Sequence, residues 1–112
     1  MIANTFRVLG LIACVALAGR FDMLDEEAAT AAAAEPLGFD VEVLSDATGA
    51  IDLANEAGTA PAHQVHETLM ALLHSNWAAV TDAATWTAAL RTGTQLAKSD
   101  LVSSAARGRR GA

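Results

Sequence analysis

The sequence has no tyrosine, only two tryptophans and three phenylalanines, so aromatic residues make up 4% of its 112 positions. Alanine supplies much of the 53% hydrophobic fraction and buries little surface per residue, so any core has to be thin. A chain of this length forms one small domain rather than two. We therefore expect a single domain over residues 1–112 that assembles as a homo-oligomer or with a partner subunit.

Cysteine and cationic residues are also scarce. Cys14 is the only cysteine, so the chain can form no internal disulfide and requires no oxidising compartment. Lys and Arg are absent from residues 21–90, whereas ten of the thirteen acidic residues lie between Asp22 and Glu56. This distribution argues against a nucleic-acid partner. The cations gather in residues 103–112, which we expect to be a flexible tail, with a phosphate-binding tail as the alternative.

Residues 1–20 fit two interpretations. Arg7, the apolar run at residues 8–18 and the small residues around Ala18 fit a secretory signal peptide. The same run fits a buried parallel strand that leads into a helix. It is too short to cross a bilayer as a helix, so we expect no membrane partner. The strand interpretation predicts a cytoplasmic protein, and the signal-peptide interpretation predicts a secreted one.

The next segments alternate between helix and strand. Residues 21–36 predict a helix that Asp25 caps and Pro36 stops, because acidic residues favour its start and alanines its middle. Gly38 then supplies a turn into a strand at residues 41–44, where Val41 and Val43 alternate with a glutamate. Asp46 follows that strand, where it either ties down the turn by bonding backbone or borders a ligand crevice.

A loop over residues 47–59 comes next, and we expect Ile51 and Leu53 to tuck beneath it. Thr59 should cap a helix with Pro61 in its first turn. The apolar face of that helix should consist of Val65, Leu69, Leu72, Leu73 and Asn76. A short strand at residues 78–80, a helix capped by Asp82 and ended by Gly93, and a weakly amphipathic piece at residues 96–102 complete the prediction.

Several short motifs occur over residues 37–90, namely GFDV from Gly38, SDATG from Ser45, EAGT from Glu56, HE at His66, LHSNWAAV from Leu73 and ATW from Ala84. Taken together they resemble the C-terminal part of the isochorismatase-like cysteine hydrolases. The resemblance implies an α/β fold, namely a three-layer, Rossmann-like α/β/α sandwich with a parallel sheet, of which we expect this chain to form a part. The strand and helix alternation independently favours parallel strands covered by helices.

The resemblance also implies hydrolysis of small amide or vinyl-ether substrates by a cysteine, without a cofactor. Cys14, Val15 and Arg20 match the family pattern G-x-x-T-x-x-C-V-x-x-T-x-R. However, Ala18 replaces a threonine, and Gly10 lies four residues before the cysteine where the pattern places its glycine six residues before. Cys14 is therefore the candidate catalytic residue. The alternative is that its thiol is a small buried apolar group, since a reactive cysteine needs a nearby cation or helix N-terminus and a base.

The family's catalytic aspartate and lysine both precede the cysteine. No Asp, Glu or Lys occurs before Cys14, and the sole lysine, Lys98, lies far downstream. We therefore expect little or no activity from this chain alone. A non-catalytic interaction or assembly module and a small exported acidic protein are the alternatives.

Other candidate ligands are weaker. His63 and His66 lie one turn apart, but Met70 stands where a zinc-binding helix would place its second histidine. His74 lies eight residues beyond His66, which is a poor spacing for two metal ligands on one helix. We therefore expect no metal site. Trp77 and Trp86 should anchor the core or an interface. The substrate-binding residues remain unassigned, and no glycine-rich phosphate loop or serine-nucleophile elbow is present.

Overall fold

The computed structural model of the protein describes residues 30–111. Cys14, the apolar segment at residues 1–20 and the predicted cap at Asp25 lie outside these residues. A helical segment at residues 30–34 leads into a 3-10 helix at Glu35–Leu37. The other elements are β1 (Val41–Leu44), β2 (Leu53–Asn55), β3 (Gly58–Ala60), α1 (Ala62–Asn76), β4 (Ala78–Thr81), α2 (Ala83–Thr92) and α3 (Leu101–Gly111).

The turn before β1 forms as the sequence predicts. The α-helical segment stops at residue 34, and Pro36 lies within the 3-10 turn that follows. Gly38 adopts a φ of 78°, in the left-handed region, and its N–H donates to the carbonyl of Glu35 at 3.0 Å. A residue without Cβ suits this conformation, which redirects the chain into the strand.

Strands β1 and β4 form a parallel pair. Val41 lies opposite Ala78, and Leu44 lies opposite Thr81. Because parallel strands need a crossover, the chain between them passes through α1, which packs against β4. Both predicted strands are therefore confirmed, as are their parallel direction and the α/β character of the fold.

One small cluster forms the core. Leu73 is fully buried, Val43 and Met70 are nearly so, and Ala31 and Ala78 complete the buried set. The predicted apolar face of α1 is only partly right, because Leu72 is 42% exposed and Met70 takes its place. Successive helical residues are about 100° apart, so Leu72 and Leu73 cannot both face the sheet.

The prediction of a loop over residues 47–59 is wrong for its second half, where β2 and β3 pair antiparallel as a hairpin. Ile51 and Leu53 do not tuck beneath it, being 43% and 46% exposed. The helix start is also displaced, because Pro61, not Thr59, is the N-cap residue of α1. A proline has no side-chain acceptor, and Asp52 from the hairpin instead accepts the N–H of Ala62 at 2.7 Å.

The last two helices begin at aspartate caps. The predicted cap of α2 is confirmed, since Asp82 accepts the N–H of Thr85 at 2.6 Å, and Gly93 ends the helix with a φ of 68°. Residues 103–111 contribute most of α3, where the sequence predicted a flexible tail over residues 103–112, and Asp100 caps this helix through the N–H of Ser103. No helix within the described residues is long and apolar enough to cross a membrane.

Candidate functional site

Polar residues collect where β1 and β4 end, because the carboxyl ends of parallel strands meet at one edge of the sheet. Ser45 extends the ladder beyond β1, and its N–H donates to the carbonyl of Thr81 at 2.8 Å. Its hydroxyl donates to the same carbonyl at 3.2 Å. We call this group the carboxyl edge and include in it Ser45, Asp46, Thr48, His66 and Thr81.

Asp46 has a structural role at the carboxyl edge. Its Oδ1 accepts the N–H of Ala83, the first residue of α2, at 2.9 Å. The carboxylate thus joins the end of β1 to the start of α2, where negative charge is favourable. Asp46 bonds backbone as the first of its two predicted roles requires, but that backbone belongs to α2 and not to the turn after β1.

Thr48 and His66 form the pair of most chemical interest. The Oγ1 of Thr48 lies 3.0 Å from the Nε2 of His66 and 3.4 Å from the carbonyl of Ser45. A hydroxyl beside an imidazole is the arrangement that activates a nucleophile when a third group orients the ring. No third side chain bonds the imidazole among residues 30–111. The contact joins the loop after β1 to α1.

The sequence does not reveal this pair, because Thr48 and His66 are 18 residues apart and neither occurs in a recognisable catalytic motif. Thr48 lies in the SDATG motif and His66 in the HE motif of the family resemblance, but neither motif indicates that the two residues meet, and the further signal was position. Thr48 follows the end of a strand, and His66 lies one helical turn before Met70 on the face of α1 that packs on the sheet.

The other two histidines differ in their surroundings. His74 accepts the N–H of Val80 at its Nδ1, over 2.9 Å, and so connects the end of α1 to β4. His63 is exposed. Within the described part of the chain, no group of three or more His, Cys, Asp or Glu residues could hold a metal ion.

A cavity of about 560 Å³ lies at the opposite end of the sheet, beside the amino ends of β1 and β4. Phe39, Val41 and Trp77 line it, together with several charged residues and residues 95–98. Lys98 lies in its wall, where its Nζ donates to the carbonyl of Asn76 at 2.9 Å and lies 4.0 Å from a carboxylate oxygen of Glu35. Both contacts of the Lys98 ammonium therefore lie at the amino end of the sheet.

Both tryptophans anchor the fold, as predicted. Trp77 packs against the buried core. Trp86 donates its Nε1–H to the carboxylate of Glu42 at 2.6 Å, which ties α2 to β1. Trp77 thus contributes apolar contact, and Trp86 contributes a polar bond between two elements.

The structure is similar to solved isochorismatases. A candidate isochorismatase from Burkholderia xenovorans LB400 is 39% identical and has a TM-score of 0.69, covering 77% of this chain and 42% of its own. An isochorismatase from Pseudomonas putida KT2440 is 34% identical over 50% of this chain and 29% of its own, with a TM-score of 0.47. No protein-family model and no curated protein matches the chain.

The Burkholderia match reaches well beyond the motifs at residues 37–90, since it covers 77% of the chain. The chain nevertheless spans less than half the length of either solved structure. Parallel β1 and β4, the crossover helix α1 and the sequence identity agree with one another. Over the residues that it shares with the Burkholderia structure, the chain belongs to the isochorismatase-like family.

Proposed function

We propose that this chain belongs to a small-molecule hydrolase with Cys14 as its candidate nucleophile, and that its 112 residues alone have little or no activity. Substrates of the amide or vinyl-ether type are those that the family resemblance implies, and the name isochorismatase borne by the Burkholderia relative supports this choice. A cysteine attacks such a substrate only as a thiolate, which a neighbouring cation stabilises and a base generates.

The position of Lys98 supports the second part of the proposal, that the 112 residues alone have little or no activity. It is the only lysine in the sequence, and its ammonium is bonded to Asn76 at the amino end of the sheet. The four residues of β1 separate that end from the carboxyl edge by roughly 10 Å. Lys98 therefore does not supply a cation to the edge where open α/β sheets bind their substrates.

The test combines thiol labelling with turnover. We expect Cys14 to react slowly with a thiol reagent at neutral pH, and faster only in denaturant. We also expect the turnover of small amides and vinyl ethers to equal that of the Cys14→Ser variant. Rapid labelling together with turnover that the serine variant loses would show that this chain is a complete enzyme.

A second experiment tests the hydrolase assignment itself. If the coding frame continues upstream of Met1 and supplies an acid and a lysine, the extended protein should hydrolyse such substrates in a manner that depends on Cys14. An extended protein that carries both residues yet turns over no small amide or vinyl ether would contradict the assignment.

A non-catalytic assembly module is the second candidate, and exposed aliphatic side chains favour it. Val102 is 80% exposed and Leu101 is 58% exposed, both on α3.

An export role rests on residues 1–18. Sequencing the N-terminus of the mature protein would separate this role from both other functions, since a cleaved signal peptide leaves a shorter chain.

A further inference from the structure

The cavity of about 560 Å³ beside the amino ends of β1 and β4 has no part in the proposed hydrolysis. Its volume lies within the range of roughly 300–1,000 Å³ that is typical of small-molecule sites. We call it the amino-end cavity. Its lining comes from β1 and the turn before it, from the end of α1, from β4 and from residues 95–98. The whole of β1 separates it from the carboxyl edge, so the two are different sites.

Apolar side chains make up part of the lining of the amino-end cavity. The rings of Phe39 and Trp77 and the side chain of Val41 belong to it. Trp77 and Val41 also pack against the buried core, which fixes their positions. An aromatic face attracts a cation that lies within about 6 Å of its centre, in addition to apolar groups. This part of the lining therefore suits a ligand that has an apolar body and a positive charge.

The charged groups of the lining favour a cation over an anion. Three carboxylates, those of Glu35, Asp40 and Glu42, line the cavity together with one ammonium, that of Lys98. Asp40 accepts a hydrogen bond from the amide of Gln95 at 3.4 Å. It meets no cation among residues 30–111. The carboxylate of Asp40 is therefore the group that a cationic ligand would pair with.

The end of α1 adds negative potential at the same place. The helix ends at Asn76, and the next residue, Trp77, lies in the lining. The last carbonyls of a helix lack partners within it and carry the negative end of its dipole, so they stabilise a nearby cation. An ammonium already lies there, because the Nζ of Lys98 donates to the carbonyl of Asn76 at 2.9 Å. This end of the sheet thus accommodates the group that an amine would bring.

We propose that the amino-end cavity binds a primary amine with an apolar body, namely an alkylamine or arylalkylamine. Its ammonium, which is charged at neutral pH as that of lysine is, pairs with Asp40, and its body lies against Trp77 and Phe39. A metal ion is a poorer occupant, because no group of three or more His, Cys, Asp or Glu in the described part of the chain could hold one. An anion would meet three carboxylates in a chain of net charge −6.

Such a ligand joins three separate segments of the chain. Residues 95–98 form neither helix nor strand, and the bonds of Gln95 and Lys98 connect them to the turn before β1 and to the end of α1. A ligand that binds the folded chain and not the unfolded one stabilises it by mass action. The amine should therefore raise the melting temperature. The inference concerns a site away from the carboxyl edge and does not depend on the proposed hydrolysis.

Three probes of similar shape test the proposal by isothermal titration calorimetry on the full chain. They are phenethylamine, its neutral analogue phenethyl alcohol and the anion phenylacetate. We expect the amine to bind with a Kd of about a millimolar, as its small size allows. It should bind at least about tenfold more tightly than the alcohol, because only the amine forms a charge-assisted bond with Asp40. Phenylacetate should not bind.

Two variants should change the affinity for phenethylamine in opposite directions. Asp40→Asn should weaken binding by about fivefold, because the ammonium loses its charged partner. Lys98→Met should strengthen binding by about threefold, because it keeps the apolar stem and removes a competing ammonium. Damage to the cavity cannot produce both changes. Glu67→Gln is the matched control for the change in net charge, since Glu67 is exposed on α1 and does not line the cavity.

Several results would overturn the proposal. One is an amine that binds no more tightly than the alcohol, which would indicate an apolar site only. Others are phenylacetate that binds as tightly as the amine, no binding of any probe, or equal weakening by Asp40→Asn and Glu67→Gln. Circular dichroism checks that each variant is folded. If Asp40→Asn does not fold, the gain expected for Lys98→Met and the comparison of the three probes on wild type still decide the question.

Discussion

At the scale of single residues, the half-buried ring of His74 fixes the geometry between α1 and β4. Its Nδ1 accepts the N–H of Val80, and its own carbonyl accepts the N–H of Ser99. The side chain therefore connects the helix to the strand, and the backbone of the same residue connects it to the segment before α3. A residue in this position affects stability through a hydrogen bond rather than through apolar contact.

Substitution of His74 tests this bond. His74→Leu leaves the N–H of Val80 without an acceptor, and we expect a loss of about 1–3 kcal/mol in the free energy of unfolding. His74→Asn is the control, because an asparagine oxygen occupies nearly the position of Nδ1 and can still accept. Urea titrations followed by tryptophan fluorescence measure both. Equal losses for the two variants would show that the ring contributes by packing alone.

Some of these residue roles could be predicted from sequence and others could not. Asp82 caps a helix because its pattern is local, and the side chain bonds three residues ahead. The contacts of Thr48 with His66 and of Trp86 with Glu42 span 18 and 44 positions. Such pairs depend on how the elements pack, which no local pattern specifies. The candidate site was therefore predicted only as a location, the end of β1.

At the scale of elements, the caps of α2 and α3 share one design. The backbone N–H of Thr85, followed by its hydroxyl, lowers the pKa of Asp82 from its ordinary value of 3.8. The backbone N–H of Ser103 lowers the pKa of Asp100 in the same way. Both carboxylates are stabilised in their charged form because they accept bonds at helix N-termini, where the helix dipole also favours negative charge.

These caps make the two helices sensitive to acid. A carboxylate whose pKa is lower in the folded state stabilises the fold above its unfolded value and loses that contribution as the pH falls through the folded pKa. We therefore expect wild type to lose stability below pH 3.8. Asn caps helices without titrating, so Asp82→Asn with Asp100→Asn should show a flatter pH dependence of the melting temperature. Parallel curves for the two proteins between pH 2 and pH 5 would contradict this assignment.

The elements differed in how well sequence could predict them. The β1 strand and the ends of α2 were correct because alternation, an aspartate cap and a glycine stop mark them directly, whereas β4 was predicted from its shortness alone. The hairpin was missed because its strands are too short for a period-2 pattern. Asn55 was the available signal, since its side chain accepts the N–H of Ala57 at 2.9 Å, an Asx turn that begins the reversal.

At the scale of the whole molecule, Leu73 is the one large side chain that is fully buried among residues 30–111. The rest of that core consists mainly of alanines, a valine and a methionine. Small domains unfold with only about 5–15 kcal/mol of free energy, so one leucine accounts for a large share of the stability. Composition predicted a thin core correctly, but it could not identify which leucine fills it.

Adjacent leucines allow a matched test of this core. Leu73→Ala removes the only fully buried large side chain in the described region, and we expect a loss of about 2–5 kcal/mol from lost burial and the cavity left behind. Leu72→Ala removes the same atoms one position away, where the side chain is 42% exposed, and should change stability by about 0.5 kcal/mol or less. Thermal unfolding by circular dichroism compares the two, and equal destabilisation would mean that α1 packs on the sheet through a different face. These residues are separated by 100° of rotation about the axis of α1, so the difference between the two variants reports on how α1 is oriented on the sheet. The same orientation places His66 beside Thr48.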